Sequence, residues 1–154
     1  ALLARFALQI VTSIFVATLV LGALIAFDGE RISLDIAPVA LTLALTALLG
    51  LGVGTFNAVM FVYFSAYERV YNIVTRPLML ISGIFFIFED MPSGVQDVLW
   101  WNPIIHLTGL FRTGFYPSYE AAYVSIVYVF TIALAHLFFG ALLLRALKSE
   151  ILEL

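Results

Sequence analysis

The chain has no cysteine, one lysine and two histidines in 154 residues. Without cysteine there are no disulfides and no thiolate metal sites within this stretch. The lone Lys148 belongs to no Gly-x-x-x-x-Gly-Lys phosphate loop, so nothing in the sequence is built to hold ATP. His106 and His136 stand thirty positions apart, with no His-Glu-x-x-His and no Gly-x-Ser-x-Gly around them; metal and triad catalysis therefore lack their residues. Charge is scarce as well: 11% of residues are charged, the formal net charge is −3, and no basic patch offers itself to nucleic acid. What remains is apolar. At 64% hydrophobic residues, against about half in soluble domains, the chain belongs in lipid.

Four apolar runs are long enough to cross a hydrocarbon core of about 30 Å: residues 6–27, 37–64, 70–88 and 121–144. Asp28-Gly29-Glu30-Arg31 breaks the first from the second, and Pro38 suits the opening turn of a helix. In the third run Arg76 lies near the start, where its aliphatic stem reaches back to the interface. Met91-Pro92-Ser93-Gly94 reads as a turn. The chain starts at Ala1, and Arg5 precedes the first run without a small-residue cleavage pattern, so a fragment of a longer protein is expected. The expected fold is all-α: a polytopic membrane protein with a single transmembrane domain over residues 1–154.

Charge sets an orientation. If the first run leads outward, Arg5, Arg69, Arg76, Arg145 and Lys148 fall inside and only Arg31 and Arg112 outside, in keeping with the positive-inside bias. Both ends then face the cytoplasm. Asp28, Glu30, Asp35, Glu89, Asp90, Asp97 and Glu120 collect outside.

Residues 98–118, which include Trp-Trp-Asn-Pro-Ile-Ile-His, fit this scheme only if they do not cross. A fifth crossing would move Arg145 and Lys148 outside. Asn102 as N-cap and Pro103 at the first helical position divide the segment into two short helices. Two placements fit: a re-entrant hairpin at the outer face, its broken backbone shielded by protein or water, or an interfacial pair with Trp100, Trp101, Tyr116 and Tyr119 as belt residues. Arg112 either attracts a phosphate or uronate or pairs with Asp97 or Glu120.

In the second run Thr42, Thr46, Gly50, Gly54 and Ala58 recur every four residues, a small-residue stripe expected to serve helix packing. The nearby Gly50-Leu51-Gly52-Val53-Gly54 is no nucleotide loop, having no strand before it. No aspartate or glutamate lies in the four runs. His136 is the one protonatable group in the last, where a hydrogen bond to a neighbouring helix is the expected role and a proton relay the rival.

Tyr67-Glu68-Arg69-Val70, Arg76-Pro77-Leu78 and Ile81-Ser82-Gly83-Ile84-Phe85-Phe86, followed by Met91-Pro92, Trp101-Asn102-Pro103-Ile104-Ile105-His106 and Arg112-Thr113-Gly114-Phe115-Tyr116, resemble the membrane subunits of type-2 ABC exporters for bacterial surface polysaccharides. The resemblance covers nearly all of the chain. It implies an inner-membrane permease paired with a second copy, separate cytoplasmic ATPases that carry ATP and magnesium, a lipid-linked glycan as cargo, and gate helices at residues 98–118. It gives Trp100, Trp101, Asn102, Pro103, His106, Arg112, Tyr116 and Tyr119 a place along the gate or cargo path. Gly50, Gly54 and Ala58 remain packing positions. The cytoplasmic turn at residues 65–72, with Glu68 and Arg69, either touches the ATPase or serves only the positive-inside bias. No catalytic residue, metal or cofactor is expected in the chain itself. The same pattern serves other cargoes such as O-antigen, teichoic acid, lipids or drugs, and a non-transporting scaffold would also use the glycine stripe and the aromatic belts.

Overall fold

A computed structural model describes residues 34–147, together with Leu8, Val11, Thr12 and Phe15. The expected run at 6–27 otherwise lies outside the described residues. Those residues form helices and turns with no strand: α1 (Ile36–Tyr63), α2 (Ser65–Leu80), a 3₁₀ turn (Phe88–Asp90), α3 (Ser93–Leu99), α4 (Pro103–Thr113) and α5 (Ile126–Ala146). The all-α expectation holds.

Two of these helices are long and apolar enough to cross a membrane. α1 starts where the Asp35 carboxylate accepts the Ala37 N–H at 3.0 Å, an N-cap that satisfies one orphan donor. Its 28 residues span about 42 Å. α5 starts on Ser125, whose hydroxyl accepts the Tyr128 N–H at 3.2 Å. In the most apolar windows of α1 and α5 only 22% and 17% of residues are buried within the molecule. Most of their apolar side chains therefore point outward, the opposite of a soluble core helix.

The two long helices pack side by side and parallel. Leu45 and Leu49 of α1 form a core with Val129 and Ala133 of α5 and Leu107 of α4. Farther along, Gly52 lies against Ala133 and Gly140 against Phe56: a Cβ on Gly52 would meet the Ala133 carbonyl oxygen at 2.5 Å, and one on Gly140 the Phe56 nitrogen at 2.7 Å. Contacting positions rise together in both helices, so both begin at the same end. The intervening chain must return once between them.

The close approach does not use the stripe expected from sequence. Gly50 and Gly54 are exposed, and a Cβ on Gly54 would meet nothing within 4 Å. Every fourth residue of an α-helix drifts about 40° round the axis. The stripe thus begins on the packed face at buried Thr42 and winds onto the open face by Gly54, while Gly52 remains at the contact.

The third expected run, 70–88, is not one helix. α2 starts earlier, at Ser65, and stops at Leu80; residues 81–87 are irregular, and Gly83 takes φ +77, a left-handed conformation natural only to glycine. Of the three expected spans that fall within the described residues, two are long apolar helices and the third, 70–88, is not. Two further boundaries move: residues 65–72 are the opening turns of α2 rather than a loop, and Ser93-Gly94 already belong to α3. The last long helix begins at Ile126, not at 121, because Ser125 caps it there.

Candidate functional site

The segment between α2 and α5 folds into two short helices, α3 and α4, that meet at Trp100–Asn102. The sequence-based break is present: the Asn102 side-chain oxygen accepts the Ile104 N–H at 3.0 Å, with Pro103 opening α4. At the far end of α4 the Gly114 carbonyl accepts the Asp35 N–H at 2.8 Å, level with the start of α1. Ile104 shares a cavity with Thr46, eleven residues or about 16 Å farther along α1. α4 therefore runs antiparallel to α1, with its glycine end at the origin of α1 and its proline end sunk about 16 Å along α1, beside the start of α5.

An aromatic latch fixes that sunken end to α5. His106 is 1% exposed. Its Nδ1 accepts the Ser125 N–H at 3.2 Å, which leaves Nε2 to carry the proton and donate to the Trp100 carbonyl at 2.8 Å. Trp100 Nε1 donates to the Tyr123 carbonyl at 3.1 Å, and the Tyr128 hydroxyl to the Trp101 carbonyl at 2.7 Å. The rings of Trp100, His106 and Tyr128 pack with centroids 5.0–5.3 Å apart, near edge-to-face and tilted geometries that suit aromatic quadrupoles. Burial pushes the His106 pKa down and outweighs the raising effect of the Trp100 carbonyl. Burial also raises the Tyr123 pKa, helped by the Tyr119 hydroxyl beside it.

His106→Ala is expected to destabilise the folded protein by about 2–5 kcal/mol, because it leaves the Ser125 N–H and the Trp100 carbonyl unpaired. A lowered folded pKa means the unfolded chain binds the proton more readily. The histidine's contribution is thus whole above about 6.5, the ordinary value, and shrinks as pH falls below it. Thermal unfolding in detergent from pH 8 to 5 should show that loss in the parent protein and a flatter profile in the variant.

A second set of contacts joins α4 to the irregular residues 81–87. The Asn102 amide donates to the Ile81 carbonyl at 3.3 Å, and the Thr108 hydroxyl to the Ser82 carbonyl at 2.9 Å. Arg112 donates from Nη2 to the carbonyls of Gly83 at 2.6 Å and Ile84 at 3.5 Å, and from Nη1 to Phe86 at 3.0 Å. One face of α4 thereby satisfies the carbonyls that the end of α2 leaves without helical partners. Ile105, fully buried on the same face, touches the position a Gly83 Cβ would take. Arg112 thus binds main-chain oxygens, not the Asp97 or Glu120 expected from charge matching.

The other positions scatter. The Tyr119 hydroxyl donates to Glu89 Oε2 at 3.1 Å and lies 3.4 Å from that of Tyr123. Tyr116 is exposed and stands apart from the latch. Glu68 and Arg69 are exposed in the first turn of α2, where the acid complements the helix dipole. His136 Nδ1 lies 2.8 Å from the Ile132 carbonyl of its own helix; its contact with the neighbour is an edge of the Phe56 ring, not the hydrogen bond expected. Ser125, Tyr123, Tyr128, Thr108 and the carbonyls of 81–86 were not marked by sequence; Ser82-Gly83 inside an apolar run was the available sign. No three His, Asp or Glu side chains gather as a metal site among the described residues.

The profile of ABC-2 type transporters matches residues 1–116. The chain belongs to the ABC-2 type transporter family. It is 32% identical over 143 residues to the polysialic acid transport protein KpsM of Escherichia coli, covering 92% of this chain and 55% of that protein. It is 26% identical over 139 residues to the capsule polysaccharide export inner-membrane protein CtrC of Neisseria meningitidis, with 90% and 52% covered. It is 28% identical over 138 residues to the capsule polysaccharide export inner-membrane protein BexB of Haemophilus influenzae, with 90% and 50% covered. The chain spans about half the length of the curated relatives it matches. Together with the outward-facing apolar helices, this membership makes it a membrane protein homologous to polysaccharide-export permeases.

Proposed function

We propose that this chain forms part of the membrane subunit of an ATP-driven exporter that moves a lipid-linked capsular or related surface polysaccharide outward across a bacterial inner membrane. The observation that carries the reading is the similarity, over about nine-tenths of the chain, to proteins named for polysialic acid transport or capsule polysaccharide export. Two permease copies frame the pathway, and separate cytoplasmic subunits hydrolyse ATP with magnesium. Glu68 and Arg69 face that side, both ends lie inside, and Gly50, Gly54 and Ala58 keep a face of α1 for another helix.

The α3–α4 hairpin is the outer gate in this reading. Its sunken end supports a re-entrant placement, since non-helical backbone at membrane depth requires protein partners and α4 supplies them. His106, Asn102, Pro103 and Trp100 hold the gate's shape, while Trp101 and Tyr116, 68% and 56% exposed, present ring faces to the apolar faces of sugars.

Deleting the gene is expected to abolish surface polysaccharide and leave polymer inside the cell, and the intact gene should restore display. An unchanged surface coat in the deletion strain would end this reading. Single cysteines at Ile104 and Leu110 are expected to react with a membrane-impermeant thiol reagent from outside only; reaction from the cytoplasm would invert the gate.

A further inference from the structure

α1, residues 81–87 and the outer face of α4 line an open groove of about 410 Å³. Its walls are Leu43, Ile84, Ile104, Leu107 and Phe111, with Arg112 as the one charged group. Three of the five guanidinium hydrogens go to the carbonyls of 83, 84 and 86, so the Nε hydrogen and one on Nη1 remain available. The threonines on the walls add no free donor: Thr42 donates to Pro38, Thr46 to Thr42, and Thr108 to Ser82 and Ile104. Arg112 alone can therefore supply strong donors to a ligand.

The polarity of the groove runs along α1. Arg112 lies two residues before Gly114, whose carbonyl is tied to Asp35 at the start of α1, while Ile104, beside Thr46, marks an apolar end eight residues or about 12 Å deeper along α4. A cation at headgroup level above an apolar trough directed toward the bilayer centre complements an amphiphile with an anionic head and a hydrocarbon tail.

We propose that this groove binds an anionic phospholipid of the outer leaflet, its phosphate on Arg112 and one acyl chain along Ile84, Ile104, Leu107 and Phe111. The proposal rests on α1 crossing the membrane with its first residues outward, and does not depend on the cargo.

The test uses the full-length permease in phosphatidylcholine nanodiscs containing a small fraction of phosphatidylglycerol with a photoactivatable acyl chain, the adducts being mapped by peptide mass spectrometry. Adducts are expected on the peptides carrying Ile84 and residues 104–111. Arg112→Gln should reduce them about tenfold, the worth of one charge-assisted hydrogen bond, and Arg112→Lys should retain them. Thr46→Trp, an exposed position away from the carbonyl contacts, should fill the deep end and give a similar loss, and it decides the matter should Arg112→Gln fail to fold. Equal labelling by a photoactivatable phosphatidylcholine, adducts confined to other surfaces, or labelling undiminished in Thr46→Trp would each overturn the site. None of these readouts requires export, so failure of the export reading would leave them interpretable.

Discussion

Gly52→Leu is expected to drive α1 and α5 apart and to give the largest loss of stability of any single change on α1. Overpacking among movable side chains costs about 1–3 kcal/mol. Here the obstructing atoms are the Ala133 carbonyl oxygen at 2.5 Å and the Leu137 nitrogen at 3.1 Å from the new Cβ, and backbone cannot rotate out of the way. Gly140→Leu meets the same obstacle from the other helix, at Phe56. The control is Gly54→Leu, whose Cβ meets no atom of this chain within 4 Å and which should leave the α1–α5 contact intact and lose clearly less than Gly52→Leu. Fluorescence-detected size-exclusion chromatography after a heating series measures all three. Equal losses for Gly52→Leu and Gly54→Leu would refute the assignment of the packed face.

The second large effect concerns Arg112. Replacing it with methionine keeps an apolar stem but leaves the carbonyls of Gly83, Ile84 and Phe86 without their donors. The Gly83 and Phe86 contacts are part-buried, and each buried carbonyl left unpaired costs about 1–3 kcal/mol. The variant should lose surface polysaccharide in a complementation assay even where some protein reaches the membrane. Gly83→Val should act in the same direction through a different cause: about 1–2 kcal/mol for a side chain in the left-handed region, plus crowding against Ile105 Cγ1 at 3.1 Å. Full export by both variants would show that the conformation of 81–87 is irrelevant to the gate.

The contrast between these residues explains what the sequence made legible. Asn102-Pro103 was readable because an N-cap and its proline act within three residues, and the helix now seen at Ile36–Tyr63 was readable because apolar length alone defines a span. The break after Leu80 was not. Residues 81–87 are nearly all apolar, so hydropathy extends the helix through them, whereas their conformation depends on donors 21 to 29 positions away in α4. The carbonyl partners of Arg112 were hidden for the same reason: of the two sequence alternatives, pairing with Asp97 or Glu120 followed charge matching, whereas the guanidinium donates to the carbonyls of residues 83, 84 and 86. The glycine stripe did not mark the α1–α5 contact because its four-residue period drifts round the helix axis.

The latch also carries a chronology. The groups that occupy the two ring nitrogens of His106 come from opposite directions along the chain, Trp100 before it and Ser125 after it. Synthesis proceeds from the N-terminus, so α4 and residues 81–87 are complete while Ser125 has yet to be made. Until the last long helix arrives, Nδ1 of that histidine lacks its amide, and the hairpin is held on one side only. Closure of the latch therefore reports the seating of α5, the final long helix among the described residues.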